Sequence, residues 1–252
     1  MSPFSLEGKV ALVTGSAKGI GRAIAVGMAA AGADVVCHCR KAGDAAETIA
    51  EIEAIGRRAV EVTGDMSNAE TPAAVVADAA AAFGKLDILI NNAGTIRRAP
   101  AAEFSAQDWQ DVIDINLTSV FRLAQEAGKL MLAQGSGKIV NIASLLSFQG
   151  GITVPAYTAA KSAVAGLTKA LANEWASKGV NVNAIAPGYI ATDNTTALRA
   201  DETRNRQILE RIPAGRWGEA SDIAGAAVFL SSDASNYIHG HIMVVDGGWM
   251  GR

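Results

Sequence analysis

The sequence predicts a doubly wound α/β fold, a Rossmann-type parallel sheet of seven strands with helices on both faces in three layers. Three observations predict it. Short β-branched runs alternate with longer Ala-rich segments, the pattern of strands buried on both faces by crossover helices. A glycine-rich turn follows the first apolar run and opens a helix. Across 252 residues, 50% are hydrophobic and only 19% charged, enough apolar material for one large core and too much for a disordered chain.

The elements follow in order. Val10–Val13 reads as the first strand, and Gly19–Ala31 as its helix. Asp34–His38 is the second strand, with a helix over Ala45–Ile55. Ala59–Thr63 is the third, followed by a helix over Thr71–Phe83 that Gly84 ends. Asp87–Ile90, Lys138–Ile142, Val180–Ile185 and His241–Val245 supply the remaining strands. No Pro/Ser-rich linker or composition break divides the chain, so residues 1–252 are expected to form one dinucleotide-binding and catalytic domain. The polar, charged segment 189–213 reads as a helical flap over the cleft, or as an exposed insertion with no gating role.

Charge and cysteine content remove several function classes. A net charge of −3 gives no basic excess for nucleic acid or an anionic membrane. Cys37 and Cys39 face opposite ways on one strand, which disfavours a bridge, and with His38 they lack partners at metal-ligand spacing. The first residues carry no basic region followed by an apolar stretch, so no secretory signal is expected. The expectation is a cytoplasmic protein without a metal.

The site residues lie where strands end. In Gly15, Ser16, Lys18, Gly19, Ile20 and Gly21, glycines let backbone approach a pyrophosphate that the helix N-terminus then holds. The second strand runs into Arg40 and Lys41 with no acid to bind a ribose 2′-hydroxyl. Arg40, with Lys18 opposite, suits a 2′-phosphate instead, so NADP(H) is favoured and NAD(H) stays possible; both cations can also be solvated surface charges. Asp65, with Met66 beside it, suits the adenine amine or caps a turn. Asn92, Ala93 and Gly94 end the fourth strand at the ligand-binding edge of an open sheet.

Tyr157 and Lys161 stand one helical turn apart on one face. A phenol's ordinary pKa near ~10 is too high for neutral-pH proton exchange, and a neighbouring ammonium favours phenolate. Ser144, after the fifth strand, can polarise a carbonyl in the same crevice.

Together these residues resemble the short-chain dehydrogenase/reductase family over essentially the whole chain. The resemblance implies a catalytic tetrad of Asn116, Ser144, Tyr157 and Lys161. Tyr157 would exchange the proton, Ser144 orient the substrate oxygen, and Lys161 bind the nicotinamide ribose and lower the tyrosine pKa. Asn116 would hold a relay water. Pro187, Gly188, Ile190 and Thr192 would dock the carboxamide, and assembly would be a homotetramer. Further stretches, among them Ile96–Arg98, Ser147–Gly151 and Ile212–Gly218, resemble the family's branch that acts on 2-deoxygluconate and its keto counterpart.

A small keto or hydroxy acid substrate fits Arg98, Arg97 or Arg216 as carboxylate partners, with Leu146, Gln149, Asn194 and Thr195 near its hydroxyls. Each of these can equally brace a loop. Two other readings stand beside the sugar acid: a 3-oxoacyl-[acyl-carrier-protein] reductase, and a nucleotide-binding regulator without turnover. Asn173 stands where carrier-protein reductases commonly carry an Arg.

Overall fold

The computed structural model describes residues 2–252. Seven strands form one parallel sheet: β1 (Val10–Thr14), β2 (Asp34–Cys39), β3 (Ala59–Thr63), β4 (Ile88–Asn91), β5 (Gly137–Ile142), β6 (Val180–Pro187) and β7 (Ile242–Val245), in spatial order β3-β2-β1-β4-β5-β6-β7. The chain reverses its winding direction between β1 and β4, which pair Ala11 with Ile88 and Val13 with Ile90. At such a switch point the crevice outside the strand ends is open to a ligand.

Each strand is apolar on both sides because each side is covered. In β1, Ala11 and Val13 join a core with α1 (Gly19–Ala30), α2 (Ala46–Ala54) and α9 (Ser221–Ser231) through Ile24, Met28, Ile52 and Leu230. Val10 and Leu12 join the opposite core with α3 (Thr71–Phe83), α5 (Ser119–Gln134) and α6 (Pro155–Trp175) through Val75, Leu123, Met131 and Leu171. Alternating Cβ directions thus feed two layers from one run of sequence. Helix ends follow local chemistry: Gly84 and Gly135 close α3 and α5 in the left-handed region at φ 77° and 69°.

Several boundaries depart from the sequence reading by a residue or two: β1 runs to Thr14, β2 to Cys39 and β6 to Pro187, β4 shifts to Ile88–Asn91, β5 begins at Gly137, β7 begins at Ile242, and α1 and α2 are shorter. Between α4 (Ala106–Ile113) and α5 lies a π-helical turn over Asp114–Thr118, a local widening that often marks a functional position. Segment 189–213 is helical, with α7 (Thr196–Ala200) and α8 (Glu202–Arg211). Ile208 and Ile212 pack there with Leu145 and Trp249 in a small satellite core. Among the described residues no helix is long and apolar enough to cross a membrane, and no group of three or more His, Cys, Asp or Glu could hold a metal.

Candidate active site

The glycine turn is shaped by what its glycines permit. Gly15 and Gly19 take φ of 65° and 56°, where a Cβ is strained. A Cβ on Gly21 would stand 2.1 Å from the Gly15 carbonyl oxygen and 2.5 Å from Asn92 Nδ2, so only glycine lets α1 start this close to the strand end. Asn92 Nδ2 donates to the carbonyls of Thr14 (2.8 Å) and Gly15 (3.1 Å), while Thr14 Oγ1 accepts from the Asn92 and Ala93 amides. The two loops at the switch point therefore hold each other.

His38 adds a third tie, which the sequence reading missed. It is buried; its Nδ1 accepts from the Gly15 amide (3.3 Å) and its Nε2 faces the Gly64 carbonyl (3.0 Å). Burial holds the imidazole below its usual pKa, against the pull of that carbonyl and of Asp65, consistent with a neutral ring donating from Nε2. Only its place at the end of the second strand could have flagged it. Ser16 lies fully buried beneath the turn, its hydroxyl donating to the His38 carbonyl and its own carbonyl accepting from Thr48.

A cleft of about 590 Å³ opens along these strand ends, lined by Gly15, Lys18, Gly19, Ile20, Gly21, Arg40, Asp65, Met66, Asn92, Ala93, Gly94, Asn116, Tyr157, Lys161, Thr192 and Asn194. At one end Arg40 is exposed and forms no ion pair among the described residues. Asp65 accepts from the amide and hydroxyl of Ser67, which, with Arg40 and His38 nearby, hold its carboxyl below the usual range. Its turn-capping role and its place in the cleft thus coexist. Asp44 also lines this end, an acid that the strand-two reading did not include. Lys18 is not a free cation: its ammonium meets Asp193 at 2.7 Å, joining the turn to the segment after β6.

At the other end α6 presents Tyr157 and Lys161. A buried polar chain fixes this helix on the sheet: Asn91 Nδ2 donates to Asn141 Oδ1, Asn141 Nδ2 to Thr168 Oγ1, and that hydroxyl to the Val164 carbonyl. The chain ties β4, β5 and α6 together, although Asn91 Oδ1 at its start is buried without a partner. Lys161 is 4% exposed. Its ammonium donates to the Ile142 carbonyl at 2.5 Å and sits 5.6 Å from the Tyr157 ring centroid; burial pushes its pKa down to about 8.

Burial pushes the Tyr157 phenol up, while the Ser144 hydroxyl and then the Arg98 guanidinium pull it back. The Lys161 ammonium stands close enough to the ring to favour phenolate as well, while its hydrogen bond goes to a backbone carbonyl. Ser144 keeps its hydroxyl proton to donate, because its oxygen accepts from the Leu146 amide at 3.2 Å.

Asn116 is fully buried in the π turn. Its amide donates to the Thr95 and Val112 carbonyls and accepts from the Thr95 amide. A Cβ on Gly94 would stand 2.7 Å from Asn116 Oδ1, so Gly94 is what admits this contact. Both amide protons are spent, so a relay water would have to be met by some group other than those donors.

The candidate carboxylate partners separate sharply. Arg97 is held by Asp108 (3.3 Å), Asp111 (3.8 Å) and Thr95 Oγ1 (3.0 Å). Arg216 is bound to Asp222 through two bonds of 2.7 and 3.0 Å and to the Trp217 carbonyl, and it does not line the cleft. Arg216 is therefore a loop brace, contrary to the sequence expectation. Arg98 lines the cleft, acts through its charge on Tyr157 and has no carboxylate partner among the described residues.

Gln149 sits off the cleft lining, accepting from Trp249 Nε1 at 3.4 Å. Leu146 packs beneath, where a Cβ on Gly151 would meet it. Thr195 spends its hydroxyl on the Ile190 and Thr192 carbonyls. Asn194 stays exposed at the rim. Pro187 ends β6, Gly188 abuts Asp246, and Ile190 bridges to Gly218.

A switch-point cleft with a glycine turn at one end and a serine-tyrosine-lysine group at the other defines a nucleotide-dependent oxidoreductase. The chain belongs to the short-chain dehydrogenase/reductase family. A family model described as enoyl-(acyl carrier protein) reductase matches residues 15–250. A 2-dehydro-3-deoxy-D-gluconate 5-dehydrogenase from Bacillus subtilis is 57% identical over 251 residues, covering 99% of this chain and 97% of that protein. The enzyme of the same name from Dickeya dadantii is 54% identical over 253 residues, 100% and 99% of the two chains. A crystal structure from Agrobacterium tumefaciens, assigned as a 2-deoxy-D-gluconate 3-dehydrogenase with bound NADP, is 60% identical and superposes with a TM-score of 0.92 over the full length of both chains.

Proposed function

We infer that the chain interconverts a secondary alcohol and a ketone on a small sugar acid of the 2-deoxy-D-gluconate or 2-dehydro-3-deoxy-D-gluconate type, using NADP(H). The observation that carries the substrate class is Arg98, a guanidinium without a carboxylate partner among the described residues, in the wall of the cleft that Tyr157 also lines. It offers a substrate carboxylate a charge-assisted seat in that cleft. The names of the full-length relatives and the bound NADP in the Agrobacterium structure support the same reading.

The residues fit the cofactor. The glycine turn, with Gly15 and Gly19 at positive φ and Gly21 packed against the Gly15 carbonyl, brings backbone and the start of α1 to the cleft as a pyrophosphate requires, and Arg40 is free for a 2′-phosphate. When bound, NADP(H) supplies or accepts the hydride. Tyr157 gives its phenolic proton to the substrate oxygen on reduction and takes it back on oxidation. Ser144, whose oxygen is already engaged by the Leu146 amide, has a single hydroxyl proton and donates it to the substrate oxygen. Lys161, pinned to Ile142, holds a positive charge under the ring and faces the cleft where a ribose would lie. Asn116 and Gly94 fix the loop that carries Arg98.

The same reading makes the enzyme cytoplasmic and homotetrameric, with the segment 189–213 closing over substrate. Exposed Trp109, Phe121 and Leu130 on α4 and α5, and Val244 and Met250 near the C-terminus, are the apolar surface that self-association would cover.

A panel of keto and hydroxy sugar acids run with NADPH and NADH in parallel, with an acetoacetyl thioester as an extra arm, tests this proposal. The highest kcat/KM is expected for a deoxy sugar acid with the phosphorylated cofactor. Preference for the thioester would move the chain to the carrier-protein reductases, and no turnover on any arm would leave a nucleotide-binding protein.

A further inference from the structure

The turn after β2 carries Arg40 to the cleft and then enters α2 without a cap of its own. Ala45, at the helix start, has no side-chain oxygen to accept from the free amides there. The acceptor comes from another strand. Glu61, half-buried on β3, accepts from the Gly43 amide on Oε1 at 2.9 Å and from the Ala45 amide on Oε2 at 3.0 Å. A carboxylate that meets backbone N–H groups at a helix start makes a charge-assisted contact with the positive end of the helix dipole. The Gly43 amide most, and the Ala45 amide with it, pull the Glu61 carboxyl below its usual range although burial opposes them.

Two further ties close the turn. The Lys41 carbonyl accepts from the Asp44 amide at 3.2 Å and from the Cys39 thiol at 3.0 Å. Gly43 takes φ 86°, the left-handed conformation that lets the chain reverse there.

Arg40 and Asp44 stand on this turn four residues apart, and both line the cleft. They are exposed and of opposite charge, yet they form no ion pair among the described residues. A loose turn of this length would bring two such side chains within reach of each other, and their attraction would hold them there. Glu61 prevents it by holding the backbone on either side of Asp44. A guanidinium left without a carboxylate is available to a phosphate; one neutralised by Asp44 is not.

We propose that Glu61 is a positioning residue for cofactor selection: it clamps the turn so that Asp44 is kept off Arg40, leaving the guanidinium for the 2′-phosphate of NADP(H). Glu61 does not itself line the cleft, so it acts through Arg40, and the proposal rests on Arg40 being the 2′-phosphate partner.

The test titrates NADPH and, separately, NADH by fluorescence into the full chain and its variants Glu61→Ala, Glu61→Gln, Asp44→Asn and the Glu61→Ala/Asp44→Asn double variant. In Glu61→Ala the Kd for NADPH should rise by roughly 5-fold, the size of one exposed charge-assisted contact, while that for NADH stays within about 2-fold. Glu61→Gln keeps one acceptor oxygen and should fall between Glu61→Ala and the parent. Adding Asp44→Asn to Glu61→Ala should restore most of the lost NADPH affinity, a larger gain than Asp44→Asn gives in the parent. Hydrogen exchange at the Gly43 and Ala45 amides should quicken in Glu61→Ala. Equal losses for the two cofactors would make Glu61 a prop of the fold alone and overturn the proposal, as would a double variant that recovers nothing. If Glu61→Ala fails to fold by circular dichroism, Glu61→Gln with and without Asp44→Asn carries the same comparison. Unmoved Glu61 variants beside an Arg40→Asp variant that loses NADPH overturn the proposal alone; an Arg40→Asp variant with unchanged NADPH affinity overturns it together with the reading of Arg40.

Discussion

Replacing Arg98 with Met keeps an unbranched stem and removes only the guanidinium. Arg98 is exposed at the cleft wall, and no carboxylate of the chain competes for it. A charge-assisted hydrogen bond contributes about 1.5–3 kcal/mol, and solvent at this wall places Arg98 near the lower end. At about 1.5–2 kcal/mol, Arg98→Met lowers kcat/KM for the sugar acid by roughly 10- to 30-fold. The same change on an analogue whose carboxylate is reduced to an alcohol should cost much less.

Arg98 also favours phenolate at Tyr157, so its loss raises the pKa of that group. In the oxidative direction, where the base form acts, the alkaline rise of the pH–rate profile moves to higher pH in the variant. Arg97→Met is the internal control, because Arg97 is already tied to Asp108 and Asp111; its loss should change kcat/KM by no more than about 3-fold. Steady-state kinetics of the two variants on the acid and the neutral analogue decide the matter. Equal losses on both substrates, or a larger effect of Arg97, would refute the carboxylate seat.

Other perturbations follow the same physics. Arg40→Asp removes a cation and adds a repelling acid, so NADPH affinity falls at least ~10-fold while NADH affinity holds or rises, read by fluorescence titration. Gly21→Ala drives a methyl to 2.1 Å from the Gly15 oxygen; cofactor binding should vanish and Tm drop by about 6–12 °C, for a cost of about 3 kcal/mol. Burial alone would raise the Asp34 carboxyl, but Arg58's donors and the Arg57 charge hold it below its usual value. The depressed pKa stabilises the fold above the unfolded carboxylate's ~3.9 and loses that stability as pH falls through the folded value. Asp34→Asn should therefore cost about 2 kcal/mol in urea unfolding at pH 7, with the gap to the parent closing in acid.

What the sequence made legible was whatever is encoded locally. Strand runs, the helix that Gly84 ends and the Tyr157–Lys161 pair depend on periods of two or 3.6 residues, and the structure carries them with shifts of a residue or two. The glycine turn was legible because backbone there needs positive φ, which few residues supply.

Partners distant in sequence were not legible. Lys18 meets Asp193 across 175 positions, and His38 joins Gly15 and Gly64 from three separate strand ends. Nor could spacing separate Arg97 from Arg98, since neighbours in an irregular loop have no fixed facing. Only packing against α4 shows which one is consumed. The Ile142 carbonyl that anchors the Lys161 ammonium was not legible either, because it comes from a strand 19 positions away.

The proposed reaction depends on Tyr157 trading a proton with the substrate oxygen. Single-turnover hydride transfer by Tyr157→Phe, followed by NADPH absorbance beside a cofactor titration of the same sample, tests it most directly. Transfer should slow by ~10² or more with NADPH affinity unchanged. A variant that turns over at the parent rate with the cofactor equally bound would contradict it.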